Sequence, residues 1–233
     1  MKKNEITNNK TYIKEYFVSI QGEGPYIGYK QLFIRFANCN LACDYCDTDF
    51  FTEKQENLLT PKELLSKINI LDIKNIHSIS LTGGEPLLEV NFLKSFLPLI
   101  NHKIYLETNG TLPEKLEEII HLVDIVSMDL KISSSSKIEN LFDKHKRFIK
   151  ICKDYKKELF LKVIFDNNIT CEEIKNCISI ASNNDLEVIL QPVTKNNLIN
   201  FSGKEILDIF NEFTSEYKKI RLIPQLHKFI QVE

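Results

Sequence analysis

Three cysteines fall within eight residues of this 233-residue chain, as Cys39-Asn-Leu-Ala-Cys43-Asp-Tyr-Cys46. Thiolates spaced by three and then two residues suit an iron-sulfur cluster or zinc. A structural zinc site is normally closed by four ligands, and no fourth Cys or His lies in this loop. Three ligands on a four-iron cluster leave one iron open, an arrangement for chemistry rather than for stapling a loop. Zinc, or cysteines buried as small hydrophobes, are the competing readings. Cys152, Cys171 and Cys177 sit in helical patterns with no tight ligand spacing and read as core residues.

The elements that must position this loop are legible as alternating strands and helices. Apolar, β-branched runs recur at Leu32 to Phe36, Ser78 to Leu81, Ile104 to Leu106, Ile125 to Met128, Phe160 to Ile164 and Val188 to Leu190. Between the first two, Thr60-Pro61-Lys62-Glu63 is a capping box with proline at the first helical position. Pro113 similarly opens a helix over 114–122. Further helices are predicted over 137–153, 170–182 and 203–217, each with apolar residues three and four apart. Repeated βα units imply a parallel sheet, either open or curled into an incomplete barrel.

The unusual residues follow the strands. Arg35 and the cysteine loop follow the first, Thr82-Gly83-Gly84-Glu85-Pro86 the second, Glu107-Thr108-Asn109-Gly110 the third, Asp129-Leu130-Lys131 the fourth and Gln191-Pro192 the sixth. Carboxyl ends of parallel strands converge on one face, so a single shared site is expected.

Composition narrows the class. Apolar residues at 43% and charged residues at 27% are ordinary globular values, and no window approaches 18 apolar residues. A net charge of −2 without a basic stripe argues against a nucleic-acid partner. The N-terminal MKKNEITNNK lacks the apolar stretch of a signal peptide, so a cytoplasmic, reducing environment and no membrane partner are expected. No linker or repeat marks a boundary, and one domain over residues 1–233 is expected, with an N-terminal substrate-binding segment.

The cysteine spacing, the aromatic Tyr45 before the last cysteine, and the Gly83-Gly84-Glu85-Pro86 turn resemble the radical S-adenosylmethionine superfamily over nearly the whole chain. Within it, Ser19-Ile20-Gln21-Gly22-Glu23-Gly24, Phe33-Ile34-Arg35-Phe36, Cys46-Asp47-Thr48 and Pro224-Gln225-Leu226-His227-Lys228 resemble the 7-carboxy-7-deazaguanine synthase family. The resemblance implies a partial (β/α)6 TIM-like barrel of parallel strands. It also implies a 4Fe-4S cluster on Cys39, Cys43 and Cys46, whose open iron binds the amino and carboxylate groups of S-adenosylmethionine. The implied reaction is ring contraction of 6-carboxy-5,6,7,8-tetrahydropterin to 7-carboxy-7-deazaguanine with release of ammonia, in queuosine and 7-deazapurine biosynthesis, and the implied metal is Mg2+.

Carried over by matching motif, Ile20, Gln21 and Gly22 would meet the pterin, Arg35 would pair with its carboxylate and Thr82 would add a hydrogen bond. Thr48 would lie beside the magnesium, which takes oxygen ligands. Tyr45, Cys46, Asp47, Gly84 and Glu85 would line the S-adenosylmethionine pocket, with Glu107, Asn109 and Gln191 adding polar contacts. Ser133, Ser134 and Ser135 would join them, although Lys131-Ile132-Ser133-Ser134-Ser135-Ser136 lacks the proline and glycine usual in the family. The role of His227 is left open. Residues 21–28 are a candidate cover that closes over the substrate. A reducing partner such as flavodoxin or ferredoxin and a homodimer are implied as well. The rival readings are a glycyl-radical enzyme activating enzyme, which Gln21-Gly22-Glu23-Gly24 and Thr48 oppose, and a non-catalytic metal-binding module.

Overall fold

The computed structural model describes residues 9–46, 57–195 and 197–232. Strands β1 (Thr11–Ile20) and β2 (Lys30–Phe36) form an antiparallel pair, and β3 (Leu58–Leu59) pairs with the start of β1. Alternation follows, through α1 (Pro61–Ile68), β4 (Ser78–Gly83), α2 (Val90–Phe96), β5 (Ile104–Thr108), α3 (Pro113–Ile119) and β6 (Ile125–Asp129). The second half runs α4 (Ser133–Ser136), α5 (Phe142–Asp154), β7 (Glu158–Phe165), α6 (Cys171–Asn184) and β8 (Val188–Pro192). A small ribbon of β9 (Thr194–Lys195) and β10 (Leu198–Ile199) precedes α7 (Gly203–Glu216), β11 (Ile220–Leu222) and α8 (Leu226–Ile230).

The main sheet has the order β11-β8-β7-β6-β5-β4-β2-β1-β3. All neighbours from β11 to β2 are parallel, so the sheet adds β11 to the six strands expected, while β1 and β3 extend its other edge antiparallel. The two faces are distinguished by the period of two along each strand. Leu32, Ile34 and Phe36 on β2, Leu106 on β5, and Leu161, Val163 and Phe165 on β7 face the helices in the larger apolar cluster. Their sequence neighbours face inward: Tyr105, Ile125, Phe160 and Ile189 form a second, smaller cluster. One step further along the same strands the inward residues turn polar, with Glu107, Lys162 and Gln191 in place of rings and alkyl groups. The interior is therefore oily at the amino ends of the strands and charged at their carboxyl ends.

Helix starts obey the local rules. Thr60, Thr170 and Ser202 each close a capping box, with Glu63, Glu173 and Glu205. One helix boundary moves: Ser133 to Ser136 form a single turn, and Lys137 adopts φ 59°, which ends that turn and delays α5 to Phe142.

The 21–28 segment is not the movable cover expected. It threads through the interior, with Gln21 2% exposed and Gly24 buried. Its ends are tied by Gln21 N–H to Tyr29 O at 2.8 Å and Gly28 N–H to Gln21 O at 2.8 Å. Gly24 takes φ 66°, and a Cβ there would lie 3.0 Å from the Phe160 ring. The Tyr26 ring meets Tyr105 edge-on at 5.7 Å, and its hydroxyl donates to Glu158 at the opposite mouth. This segment is a plug that floors the polar layer.

Candidate active site

Two cavities open at the carboxyl ends of the strands and share a wall. The first, of 180 Å³, is lined by Cys39, Cys43, Tyr45 and Cys46 at one end, and by Gly84, Asn109 and Gln191 along its sides. The second, of 310 Å³, is lined by Ile20, Gln21, Gly22, Phe17, Phe33 and His227. Glu23, Arg35, Thr82, Glu107 and Gln225 face both. Tyr45, Cys46, Gly84, Asn109 and Gln191 thus gather in the first cavity, Ile20, Gln21 and Gly22 in the second, and Arg35, Thr82 and Glu107 between them.

The cysteine loop is anchored by backbone. Gly84 N–H donates to Phe36 O at 3.0 Å and Glu85 N–H to Asn38 O at 2.7 Å, pressing the β4 turn against the start of the loop. A Cβ on Gly84 would stand 1.8 Å from Asn38 O, so only glycine allows this approach. From the far side, Asp44 N–H donates to Ser136 O at 3.0 Å. All three thiols are free of disulfides. Burial raises the Cys39 and Cys43 thiols above their ordinary value, with Lys131 opposing it at both. Among the described residues no three His, Cys, Asp or Glu side chains converge on one point; a four-iron cluster does not require it, because each cysteine binds a different iron.

The donor set fits a cluster with S-adenosylmethionine. The soft thiols stand beside a flat backbone face at Gly83-Gly84, and Gln191, 2% exposed, leaves its Oε1 in this wall without a hydrogen-bond partner. An unmet buried acceptor is costly unless a ligand or water meets it. Asn109 Nδ2 donates to Asn40 Oδ1 at 2.9 Å and reaches Cys39 Sγ at 4.0 Å. His145, wholly buried, holds the Asn109 carbonyl through Nε2 at 3.0 Å. Burial depresses that imidazole to about 4, so it is neutral.

The shared wall is a hydrogen-bond relay. Glu107 accepts from Gln21 Nε2 at 3.0 Å, Ser80 Oγ at 3.2 Å and Thr82 Oγ1 at 2.9 Å. Gln21 Oε1 in turn accepts from Glu23 N–H at 3.0 Å. Arg35 pairs with Glu15 at 2.5 Å across the β1–β2 register, leaving part of its guanidinium toward the cavities. His227 packs on Gly22, where a Cβ would meet its Nδ1 at 2.2 Å, and Leu226 N–H donates to Gly22 O at 2.9 Å. The tail motif thereby caps the second cavity. Phe17 and Phe33 stack at 5.4 Å and 16°, giving that cavity a flat apolar side.

Some expected residues lie elsewhere. Glu85 is fully buried outside both cavities, its carboxylate accepting from Leu87 N–H, Thr108 Oγ1 and Asn109 N–H. Burial pushes it up to about 7 despite those bonds. It shapes the β4 and β5 turns rather than touching the cavity. Ser133 and Ser134 line a separate hollow with Thr170 and Glu173, and Ser135 donates to Ile164 O at 2.7 Å. Ser135 also lines a small hollow with Asp44 and Tyr45, so of the three serines it alone lies against the cysteine loop. Asp47 and Thr48 lie outside the described residues.

A buried charge chain was not foreseen. Lys162 contacts Glu23 at 2.5 Å and Asp129 at 3.2 Å, and Lys131 contacts Asp129 at 2.8 Å and Tyr45 Oη at 3.0 Å. Burial opposes ionisation of Asp129, but the two lysines outweigh it and hold the carboxyl at about 2. The available signal was one lysine in the otherwise apolar run Leu159-Phe160-Leu161-Lys162-Val163-Ile164-Phe165; such a residue must be paired where it is buried.

Known proteins resemble this arrangement. The model of the Radical SAM superfamily matches residues 33–196. The 7-carboxy-7-deazaguanine synthase of Geobacter sulfurreducens is 35% identical, covering 94% of this chain and 96% of its own, and that of Archaeoglobus fulgidus is 33% identical, covering 94% and 97%. In fold, the chain matches the crystal structure of QueE from Escherichia coli with TM-score 0.62 at 18% identity, over 94% of this chain and 95% of that one. It also matches Streptococcus suis SuiB bound to S-adenosylmethionine with TM-score 0.57 at 14% identity, over 84% and 51%. With cysteine loop, glycine turn and two-cavity interior on one sheet, the chain belongs to the radical SAM superfamily and, within it, to the 7-carboxy-7-deazaguanine synthase family.

Proposed function

We propose that this chain converts 6-carboxy-5,6,7,8-tetrahydropterin to 7-carboxy-7-deazaguanine by a radical ring contraction that releases ammonia, in 7-deazapurine biosynthesis. The observation that carries this reading is the pair of cavities meeting at Arg35, Thr82 and Glu107, one bearing the three cysteines and the other a flat apolar side with polar groups around it.

The cluster, when bound, supplies the electron that cleaves S-adenosylmethionine to a 5'-deoxyadenosyl radical. The residues of the chain do the rest by position. Cys39, Cys43 and Cys46 would hold the cluster, while the Gly84 backbone and the unmet Gln191 acceptor offer partners to the methionine part of the cofactor. Arg35 offers a planar fork to the substrate carboxylate, and release from Glu15 would be the exchange that admits it. Phe17 and Phe33 would pack against the ring system, and Gln21, Gly22 and Thr82 would fix its orientation. The plug, buried at Gln21, Gly22 and Gly24, and the His227 tail would exclude water from the meeting point, which protects a radical from side reactions.

The finer expectations belong to the same reading. Mg2+ held near Thr48 would fix the substrate carboxylate; a flavodoxin or ferredoxin would deliver the electron; and a homodimer in the cytoplasm would be the working form. Residues 1–233 would act as one domain. A glycyl-radical activating role is not favoured, since relatives matched along 94% of this chain carry the synthase name.

The test is anaerobic. Reconstituted protein with dithionite, S-adenosylmethionine, Mg2+ and 6-carboxy-tetrahydropterin is expected to yield 7-carboxy-7-deazaguanine by mass, and Cys43→Ala to yield none. Release of 5'-deoxyadenosine without that product from wild-type protein would reject the substrate. Neither product with an intact cluster would reject the reaction class.

A further inference from the structure

Two buried lysines stand in the site, and the reaction as described above assigns neither a part. Lys162 is the more constrained. It lies on the inward face of β7, one step beyond Phe160, and is 5% exposed. Its partners come from two distant parts of the chain: Glu23 from the plug and Asp129 from the end of β6, the strand beside it in register. Burying an ammonium and two carboxylates is expensive, and an apolar side chain continuing the Phe160 layer would avoid the cost, so stability alone does not account for the arrangement.

What the arrangement does provide is a fixed Glu23. One Glu23 oxygen meets Lys162 and the other accepts from Gln225 Nε2 at 2.8 Å, while the Glu23 backbone N–H orients Gln21, whose amide holds Glu107. Glu23 faces both cavities. Burial resists its ionisation, yet Lys162 keeps its carboxyl below the ordinary value. On the other side, Asp129 retains Lys131 even when Lys162 is removed. The ammonium itself lines the cysteine-bearing cavity, and it reaches the substrate wall through Glu23, the one of its partners that faces both cavities.

We propose, on the functional reading given above, that Lys162 is a positioning residue. Through Glu23 it locks the wall between the two cavities, so that the heterocyclic carboxylate substrate is held in the orientation the cofactor-derived radical can reach.

Lys162→Met removes the charge at nearly constant volume. The KM for 6-carboxy-tetrahydropterin is expected to rise about tenfold or more, with S-adenosylmethionine affinity changed less than about twofold, and with about fivefold more 5'-deoxyadenosine released per product. Lys162→Arg is expected to restore most of the KM. In a Glu23→Gln background the added Lys162→Met change should cost less than about twofold, because the partner it acts through is already neutral. That double variant, compared with Glu23→Gln alone, carries the test if the single variant is too unstable to purify. In metal-free protein, amide exchange at residues 21–24 should speed about tenfold in Lys162→Met while that at 131–136 stays as in wild type.

Equal losses of substrate and cofactor affinity, an unchanged KM, or a full further loss in the Glu23→Gln background would overturn the assignment. The exchange readout needs no turnover. A wild-type enzyme that makes no product therefore rejects the functional reading, whereas unaltered exchange at 21–24 rejects the role of Lys162.

Discussion

Substituting Gly84 by alanine is the sharpest test of how the cysteine loop is held. The added Cβ would lie 1.8 Å from Asn38 O, 2.3 Å from its carbonyl carbon and 2.9 Å from Cys39 N. All three are backbone atoms, so no side chain can swing away, and the start of the loop must retreat by more than 1 Å. That movement stretches the bonds from Gly84 N–H to Phe36 O and from Glu85 N–H to Asn38 O. Losing them at about 1 kcal/mol each, with overpacking at about 1–3 kcal/mol, gives a destabilisation of about 3–5 kcal/mol. In a chain of this length each kcal/mol moves the melting point by about 2–4 °C, so a fall of about 6–20 °C is expected by circular dichroism on metal-free protein. Iron content after reconstitution should drop with it, since the backbone nitrogen of Cys39 is itself one of the atoms struck. Gly203→Ala is the control: nothing stands within 4 Å of its Cβ. Melting of Gly84→Ala within about 2 °C of wild type, with full iron loading, would refute the close-approach argument.

Acid stability should carry the signature of His145. Its folded value of about 4 lies below the ordinary 6.5, so the stability it contributes is present above 6.5 and is lost as pH falls toward 4, by about 3 kcal/mol. His145→Gln, which can still donate to Asn109 O, should flatten denaturant midpoints across that window; an unchanged slope would show that the imidazole is not the titrating group. Arg35→Lys keeps the charge but loses the fork, and the KM for the carboxylate substrate should rise about tenfold with S-adenosylmethionine affinity preserved. Equal KM values would exclude bidentate pairing. Gly22→Ala drives a Cβ into the His227 ring, so fluorescence or calorimetric titration should find substrate binding weakened while iron loading stays intact.

Much of this was readable from residues in order. The six expected strands all exist, because a strand buried on both faces reads as a mostly apolar, β-branched run, broken only by buried residues such as Ser80, Ser127 and Lys162. β1 escaped notice because Thr11 to Ile20 is mostly half-buried and mixes Lys14 and Glu15 with aromatics, while β11 has only three residues. The cysteine loop and the glycine turn were legible because their chemistry is local. The part of Lys162, and the bond that Gln225 makes, were not, since both meet Glu23 across 139 and 202 residues of sequence. Glu85 was legible as part of a motif but not as a buried brace, and the four serines carry no periodicity that could disclose the αL turn after them.

The plug of residues 21–28 also sets an order of events in the life of the chain. Glu23 is made early, yet its partners Lys162 and Gln225 emerge much later. At about 5–20 residues per second, the interval between Glu23 and Gln225 lasts about 10–40 seconds on the ribosome. Until its end, Tyr26 and its neighbours have no finished interior to enter, for Phe160 arrives well after the midpoint and Ile223 only just before Gln225. The floor of the reaction chamber is thus completed last, by contacts of high sequence separation that close slowly. A nascent chain stalled before the tail would have its cysteines synthesised but no enclosed chamber around them, so the radical chemistry proposed here becomes available only to the finished molecule.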